Sequence, residues 1–404
     1  MTTAALNISS EHKQGWGGVF AMSLGAFALV ASEFMPVSLL TPIASELHST
    51  EGQAGQAIAI SGAFALVTSL FITSLAGKLD RKILLLLLTL LVIISGTIVA
   101  IAPNYGVFMA GRALIGVAIG GFWSMSAATA MRLVSEDKIP KALAIVNGGN
   151  ALATVIAAPL GSYLGGIIGW RGAFFCVVPV AVITFVWLFI SLPKMKPVSV
   201  SPSGNILKLM KQPEVAIGMV AVSIFFMGQF ALFTYLRPFL ETVTHVGVTS
   251  LSFMLLVMGI SGFIGTLLIG ALLKNCLFKT LIIIPIIMAI MAIALPIFGS
   301  SLLITTFLLG IWGLVGTAAP VAWWTWLTKI LPNDAEVGGG LFVAIIQLAI
   351  TTGATFGGIL FDQSGYRATF WMSASLLALG SIFAFWTSRV SANSFKAVGV
   401  RLTD

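Results

Sequence analysis

Two residues of opposite charge lie inside long apolar stretches of the sequence, Glu33 and Arg112. A charged side chain at the centre of a membrane costs roughly 2.5–3.5 kcal/mol on insertion scales, so such residues are usually functional. If the two helices adjoin, the carboxylate can take up and release a proton under the influence of the arginine. The alternative is a static ion pair that fixes helix packing. Counted from the predicted helix ends at about 1.5 Å per residue, both lie roughly 10 Å below the same membrane surface.

A second group combines uncharged amides with aromatic rings. Phe226, Gln229 and Phe233 share one face of a predicted helix, and an amide among aromatic rings suits a planar ligand that forms hydrogen bonds. Each polar residue can instead form an interhelical hydrogen bond. The candidate substrate-binding residues are Phe34, Trp123, Asn147, Asn150, Phe226, Gln229, Tyr235 and Gln347.

Two further clusters have two interpretations each. Asp80 and Arg81 lie between the second and third apolar stretches, where they can pair with a neighbouring helix end and latch one conformation, or only anchor the chain at the membrane surface. The tryptophans at 323, 324 and 326 favour an aromatic belt at the membrane interface.

The elements that position these residues are predicted to be membrane-spanning helices. The chain of 404 residues is 58% hydrophobic and only 8% charged, which argues against a soluble enzyme or a nucleic-acid-binding protein. Alternating strand patterns are not found, so an all-α polytopic membrane protein is expected. The twelve predicted spans are 16–40, 53–76, 83–101, 106–131, 141–167, 171–192, 214–240, 249–272, 280–299, 301–327, 336–360 and 367–389.

The basic residues predict the orientation of these spans. Seventeen of the 21 Lys and Arg residues lie in alternate connectors and the two tails, and three, Arg171, Arg237 and Arg367, lie on the other side. The positive-inside rule therefore places both termini in the cytoplasm. Because the bases alternate with apolar runs, the net charge of +8 does not indicate nucleic acid as a partner.

The sequence also predicts two related halves. A polar connector, 193–213, separates a six-helix bundle at 1–192 from a second at 214–404. The segment Gly165-Gly166-Ile167 with Gly169-Trp170-Arg171 recurs as Gly357-Gly358-Ile359 with Gly365-Tyr366-Arg367. Two six-helix repeats about an axis along the membrane normal are typical of a secondary transporter.

Motifs for other chemistry are missing from the sequence. It contains no H-E-x-x-H, Walker A or G-x-S-x-G motif, and its two cysteines suggest neither a disulfide framework nor a metal site. We therefore predict no enzyme activity, no cofactor and no metal.

The chain resembles the major facilitator superfamily throughout, and within it the drug/proton antiporters with twelve helices. Asp80-Arg81-Lys82 looks like the core of the family's loop motif, and Arg112 with Gly116 and Gly120 is similar to its fourth-helix motif. Ala158-Pro159-Leu160-Gly161 resembles the end of the fifth-helix antiporter motif, which belongs to exporters. The segment from Glu33 to Leu40 is similar to bacterial exporters of sugars and nucleosides, and other segments look closest to the purine ribonucleoside efflux pumps.

This resemblance implies an exporter that works by alternating access, with Glu33 and Arg112 in proton coupling, Asp80 and Arg81 in a conformational latch, and Pro159 and Gly161 in the antiporter motif. The expected partners are protons, the lipid bilayer of the bacterial inner membrane and a small uncharged polar substrate, first of all a purine ribonucleoside. The chain is expected to be a monomer. The alternatives are a broad-range drug or sugar exporter, an importer, or a membrane enzyme.

Overall fold

The computed structural model describes residues 15–75, 79–195, 209–331 and 335–397, and within these ranges the regular structure is helical. The N-terminal half contains α1 (Trp16–Glu46), α2 (Glu51–Leu75), α3 (Arg81–Ala100), α4 (Tyr105–Arg132), α5 (Ile139–Phe175) and α6 (Val177–Ser191). The C-terminal half contains α7 (Pro213–Phe233), α8 (Leu236–Thr242), α9 (Val248–Phe298), α10 (Leu302–Gly316), α11 (Ala319–Ile330) and α12 (Ala335–Ala397). Residues 196–208 of the predicted central connector lie outside the described ranges, and the exact domain limits stay a prediction.

The described residues contain nine stretches that are long and apolar enough to cross a membrane, three of which exceed 50 residues. Each of these three contains two predicted spans. Two of them bend at glycines with positive φ, Gly169 at 76° and Gly365 at 74°, and the third bends at Cys276. The two glycines occupy equivalent positions of the sequence repeat. Both positions require glycine because it adopts positive φ without strain. The nine stretches thus accommodate the twelve predicted spans.

Two predicted spans are interrupted. The seventh breaks between α7 and α8, because the ring of Pro238 excludes a regular helical position for the carbonyl of Thr234 four residues earlier. The tenth breaks between α10 and α11, where Pro320 occupies the first turn of the new helix.

The prediction of an interfacial tryptophan belt is wrong for two of its three members. Trp323 and Trp326 are buried in the core of the C-terminal half, and Trp326 packs on Gly218 of α7. Only Trp324 is exposed. Hydropathy does not reveal this difference, because the neighbour that buries Trp326 lies about a hundred residues earlier in the chain.

The two ends of the bundle are named here after Glu46 and Asp80. The Glu46 end is where α1 ends and where α2 and α4 begin; the Asp80 end is where α3 begins. The hydrophobic core is divided in the same way. The clusters that mix residues of both halves draw on the Glu46 portion of the N-terminal half, including Val37, Ile58 and Ala158. The cluster nearest the Asp80 end contains residues of the N-terminal half alone.

Candidate functional site

Glu33 lies near the middle of α1. The helix continues to Glu46, six residues beyond the predicted end, so Glu33 is about 20 Å from the helix end at 1.5 Å per residue. Arg112 is only seven residues into α4. The two residues thus lie at different distances from their helix ends, because α1 extends further than α4 at this end. The hydrogen bond from Arg112 to the carbonyl of Glu33 nevertheless places them at the same level, as predicted from the sequence.

Arg112 is fully buried, and its guanidinium is held by α1 and α2. It donates to the carbonyls of Ser32 at 2.6 Å and Glu33 at 2.9 Å, to Ala57 O at 3.2 Å, and to Ser61 Oγ at 3.3 Å. These four acceptors distribute the charge of the guanidinium among backbone and hydroxyl dipoles.

Pro36 explains why the carbonyl of Ser32 is available. Proline has no N–H group, so Pro36 cannot donate the helical hydrogen bond that the carbonyl four residues earlier would accept. In a membrane such a carbonyl must find another donor, because water is absent. Arg112 supplies that donor from a neighbouring helix.

The carboxylate of Glu33 contacts the other half of the protein. Its Oε1 accepts from Nε2 of Gln347 on α12 at 3.4 Å, and Glu33 is 4% exposed. Arg112 contacts the backbone carbonyl of Glu33, and among the described residues no cation lies within ion-pair distance of the carboxylate. The structure thus shows no direct Glu33–Arg112 ion pair in this conformation, which favours the alternative in which the carboxylate is free to exchange a proton.

Aromatic rings from both halves meet one residue beyond Glu33. Phe34 stacks on Phe230 of α7 with the ring centroids 5.6 Å apart, and lies edge-on to Phe233 at 6.4 Å. Trp123 of α4 packs with Phe34 against a small apolar cluster of α1 and α5. Phe230 is not among the residues predicted from the sequence, although its spacing of three from Phe233 places it on the same helical face.

Two buried amide oxygens have no partner among the described residues: Oε1 of Gln347, whose amide nitrogen contacts Glu33, and Oε1 of Gln229, which precedes Phe230 on α7. Buried polar atoms in native proteins are nearly always hydrogen-bonded to protein or water. An unpaired carbonyl oxygen accepts but does not donate, so these two atoms suit a water or a ligand that offers N–H or O–H groups.

The other candidates for substrate binding occupy different environments. Asn147 is exposed on α5 and donates to Leu143 O of its own helix at 2.9 Å, and Asn150 lies about one turn further along. Phe226 packs into the core of the C-terminal half. Tyr235 is fully buried at the Glu46 end, where its hydroxyl donates to Ala354 O at 2.7 Å. Phe34 packs against the same cluster as Phe226, whereas Tyr235 belongs to a different cluster.

In the structure, the residues of the family motifs cap a helix or pack one helix against another. Asp80 caps α3 by accepting from the N–H of Lys82 at 2.8 Å, and the N–H of Arg81 donates to Met195 O. Gly161 lies against α1 at Met35 and Ser38. Pro159 leaves the carbonyl of Val155 without its helical donor, and this carbonyl faces Gly259 of the other half.

Polar contacts between the halves are concentrated at one end. In the described part of the chain they run from the Glu46 end to the level of Glu33: Thr50–Asp362, Gly52–Asp362, Tyr235–Gly52, Arg237–Ser38, Thr355–Gln56, Thr351–Ala59 and Gln347–Glu33. Towards the Asp80 end, α5 instead exposes Asn147 and Gly148. A polar exposed side chain at membrane depth indicates a water-filled space rather than lipid. The site at Glu33 is therefore closed towards the Glu46 end.

Known proteins share sequence with more than nine-tenths of the chain. The sequence model of the Major Facilitator Superfamily matches residues 22–342. The chain is 58% identical over 399 residues to a Pseudomonas aeruginosa protein named "Transcription regulatory protein OpdE", covering 97% of this chain and 99% of that protein. It is 39% identical over 370 residues to the "Purine ribonucleoside efflux pump NepI" of Escherichia coli, covering 92% and 93%.

A solved structure has the same architecture. The bacterial homologue of the human lysosomal transporter Spinster, in an inward-facing and unoccupied conformation, superposes with a TM-score of 0.78 at 15% identity, covering 94% of this chain and 98% of that chain. The all-α, multi-pass fold predicted from the sequence is confirmed by this match together with the family match. The chain belongs to the Major Facilitator Superfamily, whose members are transporters and not enzymes.

Proposed function

We propose that this transporter is a proton-coupled exporter of small uncharged polar molecules, with purine ribonucleosides as the first substrate class. The observation that carries the proposal is the position of Glu33. Its carboxylate lies at the boundary between the halves, and its hydrogen-bond partner, Gln347, belongs to the half that must move during alternating access.

The chemistry of coupling depends on the charge of this carboxylate. A buried charge without a paired cation is costly, and a proton on Glu33 removes that cost. The ionised carboxylate only accepts hydrogen bonds, whereas the protonated acid can also donate one. The protonation state therefore changes the hydrogen bonds across the boundary, which links proton binding to movement of the halves.

Aromatic rings beside Glu33 and unpaired amide oxygens support the substrate class. Phe34 and Phe230 offer flat aromatic faces, and the unpaired oxygens of Gln229 and Gln347 accept hydrogen bonds. A nucleoside has both a planar base for stacking and N–H or O–H groups for the amides. The likeness to the Escherichia coli nucleoside pump supports the same class. A sugar has donors but no aromatic face.

We further propose an orientation in the membrane and roles for the motif residues. The protein resides in the bacterial inner membrane as a monomer, with its termini in the cytoplasm and the Glu46 end outward. Asn147 and Asn150 line the route from the cytoplasm, Trp123 borders the aromatic pair, and the charges of Asp80 and Arg81 take part in a latch. Pro159 and Gly161 support the packing of α5 that export requires.

Purified protein in proteoliposomes tests the proposal. An antiporter accumulates radiolabelled adenosine when the vesicle interior is acidic, whichever way the protein is inserted, whereas a proton-driven importer requires acid outside. Arabinose and common antibiotics are measured in parallel arms. Accumulation of sugars or drugs without adenosine would contradict the substrate class, and accumulation driven by acid outside would contradict export.

Glu33→Gln should abolish accumulation driven by the proton gradient and retain adenosine exchange, because the amide binds no proton at neutral pH. Glu214→Gln in the first turn of α7 is the matched acid-to-amide control and should accumulate adenosine like the unmodified protein. Undiminished proton-driven accumulation by Glu33→Gln would overturn the coupling role.

A role in transcription is the second candidate, favoured by the printed name of the relative that is 58% identical. A chain built of membrane spans reaches transcription most simply by changing the internal concentration of a small effector. Under this proposal Glu33→Gln reproduces the transcript changes of a deletion strain. A normal transcript profile in cells carrying Glu33→Gln, with transport abolished, would instead separate the transcriptional role from transport.

A further inference from the structure

A second arginine lies on α1 in the same manner as Arg112, but it comes from the other half of the protein. Arg237 of α8 is 6% exposed, and its Nη1 donates to the carbonyl of Ser38. The sequence places Arg237 near the end of the predicted span 214–240, among the three basic residues on the outer side. The structure places it instead in a short helix that packs against α1.

A proline again explains the acceptor. Pro42 lies four residues after Ser38 and has no N–H group, so the carbonyl of Ser38 lacks its helical donor. Pro36 and Pro42 therefore create two carbonyl acceptors along α1, six residues apart. Arg112 of the same half occupies the first and Arg237 of the opposite half occupies the second.

The local charges orient Arg237 for this contact. Its Nε donates to Oε1 of Glu241, one turn later on α8, at 2.8 Å. The ion pair fixes one edge of the planar guanidinium and leaves Nη1 directed at α1. Neutralisation by Glu241 also lowers the cost of burying the arginine, so the pair reaches the boundary as a neutral unit.

We propose that Arg237 is a positioning residue that holds the Glu46 end closed by binding the carbonyl that Pro42 frees on α1, and that this contact breaks whenever the Glu46 end opens. An interhelical hydrogen bond inside a membrane has no competing water, so its loss shifts the balance between the closed and the open end. The inference does not depend on which substrate or ion is transported.

The test measures distance between the halves directly. Cys176 and Cys276 are free, and replacing both by serine allows spin labels at Ile101→Cys and Leu303→Cys, two exposed positions near the Glu46 end of opposite halves. Pulsed electron paramagnetic resonance in nanodiscs then gives the populations of short and long distances. Arg237→Gln should raise the ratio of the long to the short population about tenfold, the size expected for a lost hydrogen bond to a charged group.

Pro42→Ala reaches the same contact from the other side, because an alanine N–H satisfies the Ser38 carbonyl within α1. It should raise the long-distance population as well, and the double variant with Arg237→Gln should add little, since both remove one interaction. Arg171→Gln is the control: it removes an arginine–carbonyl contact at the same end, to Ala102, within a single half. Its distance distribution should not change.

An unchanged distribution in Arg237→Gln would overturn the inference, and so would fully additive effects of the two substitutions. If Arg237→Gln does not fold, Pro42→Ala alone decides: a larger long-distance population supports the contact, and an unchanged one contradicts it. Because no substrate or proton gradient is present, these outcomes are independent of the transport assays.

Discussion

Single residues in α1 determine how charge is accommodated in the middle of this bundle. Because of Pro36, the carbonyl of Ser32 has no donor within α1, and Arg112 donates to it, which stabilises the buried guanidinium. Glu33 is thereby left free of an ion pair among the described residues and faces Gln347 across the boundary. Arginine and glutamate are thus neighbours in space with separate tasks, one in packing and one proposed for proton exchange.

The guanidinium shape at Arg112 should matter more than its charge. Lysine offers a compact ammonium that cannot reach carbonyls of α1 and α2 in the same fork geometry. We expect Arg112→Lys to lower the free energy of unfolding by about 2 kcal/mol, the loss of a hydrogen bond to a charged group. Denaturation in mixed detergent micelles measures the change. Arg389→Lys, on an exposed side chain near the Asp80 end, is the control, and equal stability of the two variants would contradict this role.

The aromatic pair allows a prediction on specificity at the residue scale. Phe34→Leu keeps an apolar side chain but removes one face of the Phe34–Phe230 stack. Adenosine binding should weaken about tenfold, since stacking of a base on an aromatic ring contributes about 1–3 kcal/mol. Titration calorimetry of the purified protein measures the affinity. Phe370→Leu, in the core against Phe239 and Tyr366, should leave it unchanged. Equal losses in both variants would show that Phe34 acts only through packing.

At the scale of elements, two devices set where helices begin and bend: capping side chains and glycines with positive φ. The cap at Asp80 is visible in the structure, whereas its part in a latch is our proposal. Asp80→Ser keeps a capping oxygen and removes the charge, and Asp80→Ala removes both. We expect Asp80→Ala to lose about 1 kcal/mol of stability and Asp80→Ser to lose little. Both should slow adenosine export from proteoliposomes; a normal rate in Asp80→Ser would exclude the latch.

The bend at Gly169 predicts opposite effects of one substitution at two glycines. A Cβ at Gly169 or at Gly270 would meet open space, so only the backbone distinguishes the two sites. Gly169→Ala places alanine at a φ of 76° and should destabilise the protein by roughly 1 kcal/mol or more. Gly270→Ala lies within helical backbone and should be neutral or stabilising by up to about 1 kcal/mol. Thermal unfolding midpoints that move in the same direction would contradict this explanation of the bend.

The sequence predicts these elements unevenly. Apolar runs locate all twelve spans, and the repeat locates the equivalent bends at Gly169 and Gly365, because span length and glycine φ are local properties. The burial of Trp326 and the contact of Arg237 depend on residues far away in the chain. Local patterns therefore suggest an interfacial belt for the first and a position at the outer membrane surface for the second. Phe230 is predictable from the sequence, since its spacing from Phe233 alone places it on the same helical face.

At the scale of the whole molecule, the halves are held together at the Glu46 end by a carboxylate as well as by Arg237. Asp362 of α12 accepts from Thr50 Oγ1 at 2.6 Å and from the N–H of Gly52 at 2.9 Å, at the N-terminus of α2. A carboxylate is favourable there because the first N–H groups of a helix are unpaired and the helix dipole is positive. Both charged side chains of this closure, Arg237 and Asp362, thus come from the C-terminal half and bind polar groups of the N-terminal half.

Alternating access requires that loosening one end tightens the other. We therefore expect Asp362→Ala to increase amide hydrogen exchange at the Glu46 end, in peptides covering 48–60 and 350–362, and to decrease it towards the Asp80 end in 139–152. Loss of hydrogen bonds to a charged group corresponds to roughly a tenfold change in the opening equilibrium. Glu46→Gln is the control, because Glu46 contacts Trp170 and Arg171 within one half. An increase confined to the Glu46 end would mean local fraying of α2, whereas the reciprocal change identifies Asp362 as part of the switch between the two access states.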